Sequence, residues 1–246
     1  MNVLGVILAR AGSQGLRNKH LLPLLGRPVI EYTFDHALAA NRLSRLVVST
    51  DCPGVARLGE KRGLQVIDRP AYLATSDAAV QDVLLHALDC VEEEGNFTAD
   101  AIVCLYGNVP VRGDGVIDMA VRLLEWTSCD SVRSFCPVGK WHPAWMSRID
   151  GNRAEAVTPG SIHRRQDLPD LFLHDGAVVA VSRWSMLRAR QMPTDPHAFF
   201  GEDRRAVQTE VGETVEIDSR RDFFWAEAVL RDRRAAELDD MPGEVA

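Results

Sequence analysis

Two segments near opposite ends of the chain carry residue types that suit one piece of chemistry. The first, Leu8-Ala9-Arg10-Ala11-Gly12-Ser13-Gln14-Gly15-Leu16-Arg17-Asn18-Lys19, follows an apolar run. Gly12 and Gly15 let the backbone approach an anion closely and turn N–H groups toward it. Arg10, Arg17 and Lys19 offer positive charge for a triphosphate, and Ser13 adds a hydroxyl donor. The spacing matches neither the dinucleotide fingerprint G-x-G-x-x-G nor the P-loop G-x-x-x-x-G-K-[ST]. The second segment, Thr214-Val215-Glu216-Ile217-Asp218, reads as a short strand. Side chains alternate along a strand, so Glu216 and Asp218 share one face while Val215 and Ile217 turn to the core. Two hard oxygen ligands suit Mg²⁺, which takes one or two carboxylates together with substrate phosphates and water. Alone, the first segment is also readable as a solvated surface loop. The second is readable as a solvated face, with Asp218 or Ser219 capping a helix. Together they supply a phosphate cradle and a cation-holding pair, the parts needed for group transfer at a nucleotide phosphate.

Other polar clusters lie where strands are expected to end. Val48-Ser49-Thr50-Asp51 and Asp68-Arg69-Pro70-Ala71-Tyr72-Leu73-Ala74 both follow β-branched runs. Arg69 is placed to reach a phosphate or a base carbonyl, and Asp51 either joins this rim or caps the helix that begins at Pro53. In Leu105-Tyr106-Gly107-Asn108-Val109-Pro110-Val111-Arg112, Tyr106 and Asn108 offer hydrogen bonds to a sugar or base, unless the segment is only a turn. Arg164-Arg165-Gln166-Asp167-Leu168-Pro169 is a polar cluster in which Arg165 suits a carboxylate. His174 is given no part in proton transfer.

The elements that must position these residues follow from periodicity. Strands are predicted over 3–8, 46–49, 65–67, 101–105, 176–181, 207–209 and 215–217. Helices are predicted over 29–40, 53–62, 78–93, 116–126, 183–190 and 219–233, with Ser76 or Asp77 capping the third. The alternation argues for parallel strands joined by crossover helices, an α/β layered fold. Between about Phe135 and Phe172 the pattern breaks; Pro137, Pro143, Pro159 and Pro169, two tryptophans and many arginines leave no long helix. This stretch reads as an inserted arm whose Trp141, Trp145 and Ile149 suit a partner subunit. The expected organisation is an α/β domain over 1–134 and 173–233, the arm over 135–172, and a disordered tail over 234–246.

The chain has 246 residues, 46% of them hydrophobic, which is ample for one sizeable core. A net charge of −7 argues against broad attraction to nucleic acid or anionic lipid. The five cysteines show no C-x-x-C spacing, so neither a zinc site nor a disulfide scaffold is expected. No leader and no bilayer-spanning apolar run is read, and a cytoplasmic location is the expectation.

The order of these motifs resembles the cytidylyltransferases that activate sialic acid and related nonulosonic acids, and more distantly the family that activates ketodeoxyoctonate. The resemblance rests on Ala9-Arg10-Ala11-Gly12-Ser13-Gln14-Gly15-Leu16 with Lys19, then Val48–Asp51, Arg69–Ala74, Arg165–Pro169 and Glu216–Asp218. It implies a Rossmann-like, three-layer nucleotidyltransferase fold with a mostly parallel sheet and a small dimerisation arm. It implies CTP at Ala9, Arg10, Gly12, Ser13, Lys19 and Arg69, an acidic sugar at Tyr106, Asn108, Arg165 and Gln166, and Mg²⁺ on Glu216 and Asp218. Arg10, Lys19 and Asp218 are the expected catalytic residues, and a homodimer is the expected assembly. The chain departs from the family pattern at Gln14 and His20, where lysine and asparagine are usual. It departs again at Tyr106 (glutamine), Trp145 (about the place of a lysine), Asp175 (asparagine) and Glu216 (aspartate). The changes at Tyr106 and Trp145 imply an altered sugar pocket. The alternatives are a catalytically silent nucleotide-binding homologue, or transfer to another sugar such as ketodeoxyoctonate.

Overall fold

The computed structural model describes residues 1–239 apart from Ser13, Gln14, Pro159 and Ser161. β1 (Val3–Ala9) is apolar and buried throughout, as a strand covered on both faces must be. A loop and a small hairpin, β2 (Pro23–Leu24) with β3 (Arg27–Pro28), lead into α1 (Val29–Ala39). Alternation continues through β4 (Arg45–Thr50), α2 (Pro53–Lys61), β5 (Gln65–Asp68) and α3 (Val80–Glu93). Next come β6 (Ala101–Tyr106), α4 (Val116–Thr127) and β7 (Ser131–Pro137). The arm holds a hairpin of β8 (Ser147–Asp150) and β9 (Arg153–Ala156). The chain then returns through β10 (Phe172–Ser182), α5 (Arg183–Ala189), β11 (Arg204–Gln208) and α6 (Arg220–Asp239).

The main sheet has seven strands in the order β11-β7-β10-β6-β1-β4-β5. β6, β1, β4 and β5 run parallel, β10 runs antiparallel to both its neighbours, and β11 runs parallel to β7. Every strand but β10 therefore ends at the same rim. That rim is where an open α/β sheet binds ligands. One apolar cluster packs α1, α2 and α4 on one face, around Phe34, Ile30 and Val121. A second packs α3 and α5 on the other, around Leu84, Leu88 and Met186. This is the three-layer, mostly parallel fold expected.

Particular elements differ from the sequence reading. β7 was not foreseen, and it runs on to Pro137, past the point where the arm was expected to begin. Its stretch Ser131-Val132-Arg133-Ser134-Phe135 alternates too weakly to announce a strand; it forms because it fills the gap between β10 and β11. Residues 215–217 do not form a strand, and only Val215 bridges, antiparallel, to Val111. The alternation holds nonetheless: Val215 and Ile217 are buried in a third cluster with Leu24, Val29, Tyr32 and Ala226. Neither Ser76 nor Asp77 caps α3, which starts after Ala79 without a side-chain cap; Ser76 Oγ instead donates to Asp77 Oδ1 at 3.2 Å. α6 extends beyond Arg233 to Asp239, and residues 240–246 of the expected tail lie outside the described residues. All five cysteines are free. Among the described residues no helix is long and apolar enough to cross a membrane.

Candidate active site

The loop after β1 and the Glu216–Asp218 segment meet. Lys19 Nζ lies 2.7 Å from Asp218 Oδ1, and the contact closes one side of a cleft of about 430 Å³. Arg10, Gly15, His20, Arg69, Tyr106, Asn108 and Glu216 share its lining. Each comes from a strand end or from the segment that docks on one, so the sheet's parallel register gathers them.

Close approach fixes the loop. A Cβ on Gly15 would stand 2.2 Å from the backbone oxygen of Asp218, so only glycine fits there. Gly12 has φ of +72°, a left-handed turn that glycine takes without cost. Asp51 does not cap α2. Its Oδ1 instead accepts the Ala11 N–H at 2.6 Å, tying the β1 loop to the end of β4. Arg10 Nη1 donates to Gly12 O at 3.1 Å. Ala9 is buried at the end of β1, and neither it nor Gly12 lines the cleft. Ser13 lies outside the described residues, as does the departure at Gln14.

Arg69 is buried, with Nε on Ser49 Oγ at 3.2 Å and Nη2 on Ser49 O at 2.7 Å. Burial brings its pKa down to about 10 even though Asp51 pulls the other way, so it stays charged near neutrality. His20 was not foreseen as a site residue, although its place directly after Lys19 was a signal. It is buried, and burial followed by the charges of Lys19 and Arg69 lowers its pKa to about 3, so a neutral ring lines the cleft. Burial also raises the Tyr106 phenol well above its ordinary range.

The acidic couple is held from beneath. Ile217 N–H donates to Asn108 O at 2.8 Å. Asn108 Nδ2 donates back to Ile217 O (3.1 Å), to Glu216 Oε1 (3.1 Å) and to Asp218 Oδ1 (3.2 Å). The amide expected at the sugar is therefore directed at the carboxylates. Burial, and then the neighbouring Asp218 charge, raise the Glu216 pKa. Among the described residues no group of three or more His, Cys, Asp or Glu could hold a metal ion. A two-carboxylate donor set still fits Mg²⁺ when substrate phosphates complete the shell.

Arg112 is a further residue to which sequence reasoning assigned no role. It is wholly buried and touches no carboxylate. It donates to Ala177 O (2.9 Å), Val109 O (2.6 Å), Tyr106 O (2.8 Å) and Thr33 Oγ1 (3.0 Å). It thereby binds the loop bearing Asn108 to α1 and β10. Burial lowers its pKa to about 9, although distant Glu216 and Asp175 oppose this. Asp175, a departure from the family pattern, accepts from Ser134 Oγ (2.5 Å), Thr209 Oγ1 (2.6 Å) and Ala177 N (3.1 Å). Burial would raise its pKa, but these bonds outweigh burial and hold the carboxyl below its ordinary range. His174 Nδ1 lies 2.9 Å from Ser134 O, and the ring lines the second cavity described next.

A second, more apolar cavity of about 840 Å³ opens beside the first, between the arm and the start of β10. Glu216 lines both cavities. Arg165 and Lys140 face the second, together with Trp141, Phe172 and Trp225. Gln166 lies on the same short 3-10 turn as Arg165, is exposed, and lines neither cavity.

Fold and site together define a nucleotidyltransferase-like α/β domain in which a cation-bearing loop meets an acidic couple. The profile of the family described as "Cytidylyltransferase" matches residues 4–143, and the chain belongs to that family. It is 30% identical over 228 residues to an N-acylneuraminate cytidylyltransferase of Streptococcus agalactiae serotype V, covering 91% of this chain and 52% of the relative. It is 26% identical over 235 residues to a CMP-N,N'-diacetyllegionaminic acid synthase of Legionella pneumophila, covering 94% and 97%. The chain spans about half the length of the first of these curated relatives. Its fold is similar to that of a CMP:2-keto-3-deoxy-manno-octonic acid synthetase complexed with CTP. The TM-score is 0.69 at 20% identity, with 98% of this chain and 100% of the other covered.

Proposed function

We propose that the chain activates an acidic 2-keto sugar of the nonulosonate class with CTP, giving the CMP-sugar and pyrophosphate. The observation that carries this reading is the 2.7 Å contact between Lys19 and Asp218, which puts the anion cradle and the acidic couple in one cleft. CTP would occupy that cleft with its triphosphate toward Arg10, Lys19 and Arg69. The sugar would occupy the adjoining cavity, its carboxylate toward Arg165 and its anomeric hydroxyl toward Glu216, where the two spaces meet. The hydroxyl oxygen forms a bond to the α-phosphorus as the bond to the β-phosphate oxygen breaks; pyrophosphate leaves with the electron pair, and the hydroxyl proton passes to solvent water. No protein nucleophile is required, because positioning and charge stabilisation dominate such transfers. Glu216 and Asp218 would hold Mg²⁺, which when bound neutralises phosphate charge and acidifies the attacking hydroxyl. Arg10 and Lys19 stabilise the charge growing on the departing pyrophosphate. Lys19, now on Asp218, would then turn to the phosphates.

Tyr106 lines the cleft where the family usually carries glutamine, and that change supports a nonulosonate other than sialic acid itself. The exposed arm, with Trp141 and Ile149, supports a homodimer. The test is a pyrophosphate-release screen over the four NTPs and a panel of nonulosonic acids and ketodeoxyoctonate, with and without Mg²⁺. Release confined to CTP, one sugar class and Mg²⁺ is expected. Asp218→Ala should abolish it with an unchanged circular dichroism spectrum, and near-normal turnover of that variant would rule the assignment out. Tight CTP binding without release from any sugar would instead identify a silent homologue.

A further inference from the structure

We infer that Asn108 is a positioning residue that presets the Glu216–Asp218 couple for a divalent cation, rather than a ligand of the sugar or base. This rests on the reading of the couple as a cation site. Asn108 grips residue 217 from both sides, since its main-chain oxygen accepts the Ile217 N–H and its side-chain amide donates to Ile217 O. The backbone between the two carboxylates is thereby fixed in rotation. The same amide nitrogen lies within 3.2 Å of one oxygen of each carboxylate. With three oxygens around it, this end of the side chain must be the NH₂ and not the carbonyl. The amide is a neutral donor to two charges that repel each other, so it draws them to a set spacing without cancelling the negative field a cation needs.

The choice of oxygens matters. Asn108 engages Glu216 Oε1 and Asp218 Oδ1, and Lys19 engages the same Asp218 Oδ1. Among the described residues, Glu216 Oε2 and Asp218 Oδ2 receive no hydrogen bond. Each carboxylate thus keeps one oxygen uncommitted while the other is anchored, as when a second layer of hydrogen bonds orients metal ligands. Asn108 is itself buried and is held in place by the bonds of Arg112 to Tyr106 O and Val109 O on either side of it. The reach of the glutamate completes the arrangement, because an aspartate at 216 would withdraw its oxygen from the amide.

The experiment measures binding of Mn²⁺ alone by electron paramagnetic resonance or calorimetry, beside KM for CTP and sugar, in Asn108→Ala and in the isosteric Asn108→Leu. The Mn²⁺ dissociation constant should rise about 10- to 100-fold, the usual effect of losing such a support. The apparent Mg²⁺ requirement for pyrophosphate release should rise in parallel, with sugar KM at saturating Mg²⁺ within about 2-fold of wild type. Glu216→Asp should also weaken Mn²⁺, and the double variant Asn108→Ala/Glu216→Asp should lose less than the sum of the two single losses, because both remove the bond between Asn108 and Glu216. Unchanged Mn²⁺ affinity with a raised sugar KM would overturn the inference and return Asn108 to the sugar. Additive losses in the double variant would overturn it too. Wild-type protein that binds no Mn²⁺ would instead defeat the reading of the couple on which it rests.

Discussion

At the scale of single residues the site is set by contact distances with no slack. Gly15 and Asp218 come from opposite ends of the chain, and a methyl group at residue 15 would fall 2.2 Å from Asp218 O. Gly15→Ala must push the cradle and the acidic couple apart. A displacement on the order of 1 Å costs about 10²-fold in rate, so the variant should lose roughly that much pyrophosphate release. Gly15 is exposed and outside the regular elements, so the melting temperature should change little; a variant with wild-type kcat/KM would refute the contact. Asp51 illustrates the same economy. It spends its carboxylate on the Ala11 N–H and so orders the loop instead of the helix beside it.

At the scale of elements the decisive piece is the 106–112 loop. It leaves β6, carries Asn108 to the acidic couple, pairs Val111 with Val215, and is fastened by Arg112. Arg112 is a fully buried cation with neutral acceptors only, a costly arrangement unless every donor is matched. Arg112→Met keeps the volume but strands the oxygens of Tyr106, Val109 and Ala177. Each unmatched buried acceptor costs about 1–3 kcal/mol, so chemical denaturation should reveal a loss of about 3 kcal/mol or more. Arg112→Lys, which reaches fewer of these oxygens, should fall between the two. A variant as stable as wild type would mean that the loop is held by its neighbours alone.

At the scale of the whole molecule, the arm stands apart from the layered body. Every residue of β8 and β9 is exposed. Ile149 is 65% exposed and Trp141 68%. Apolar side chains gathered on a projection mark an interaction surface, and a second copy of the chain is the proposed occupant. Sedimentation should report a dimer at micromolar concentration, and Ile149→Asp should shift it to monomer while leaving the circular dichroism spectrum intact. A wild-type chain that stays monomeric at these concentrations would leave the arm to fold over its own cavity.

Local pattern was enough to reveal the alternation of strands and helices, the glycine- and cation-rich 9–19 loop after β1, and the paired carboxylates at 216 and 218. Those features depend on side-chain period and on charge close in sequence, which a one-dimensional reading can measure. β7 was not legible, since its strand character comes from pairing with β10 and β11 rather than from its own residues. The contacts of Asn108, Arg112 and Asp51 were equally hidden. Each is defined by a partner that is adjacent only after folding, as Asn108 is to Asp218 across 110 residues. The chain's chemistry was therefore written in residue types, while their aim was decided by the sheet. Six strands ending on one rim bring distant groups within hydrogen-bonding range, and geometry of that kind has no signature in local sequence.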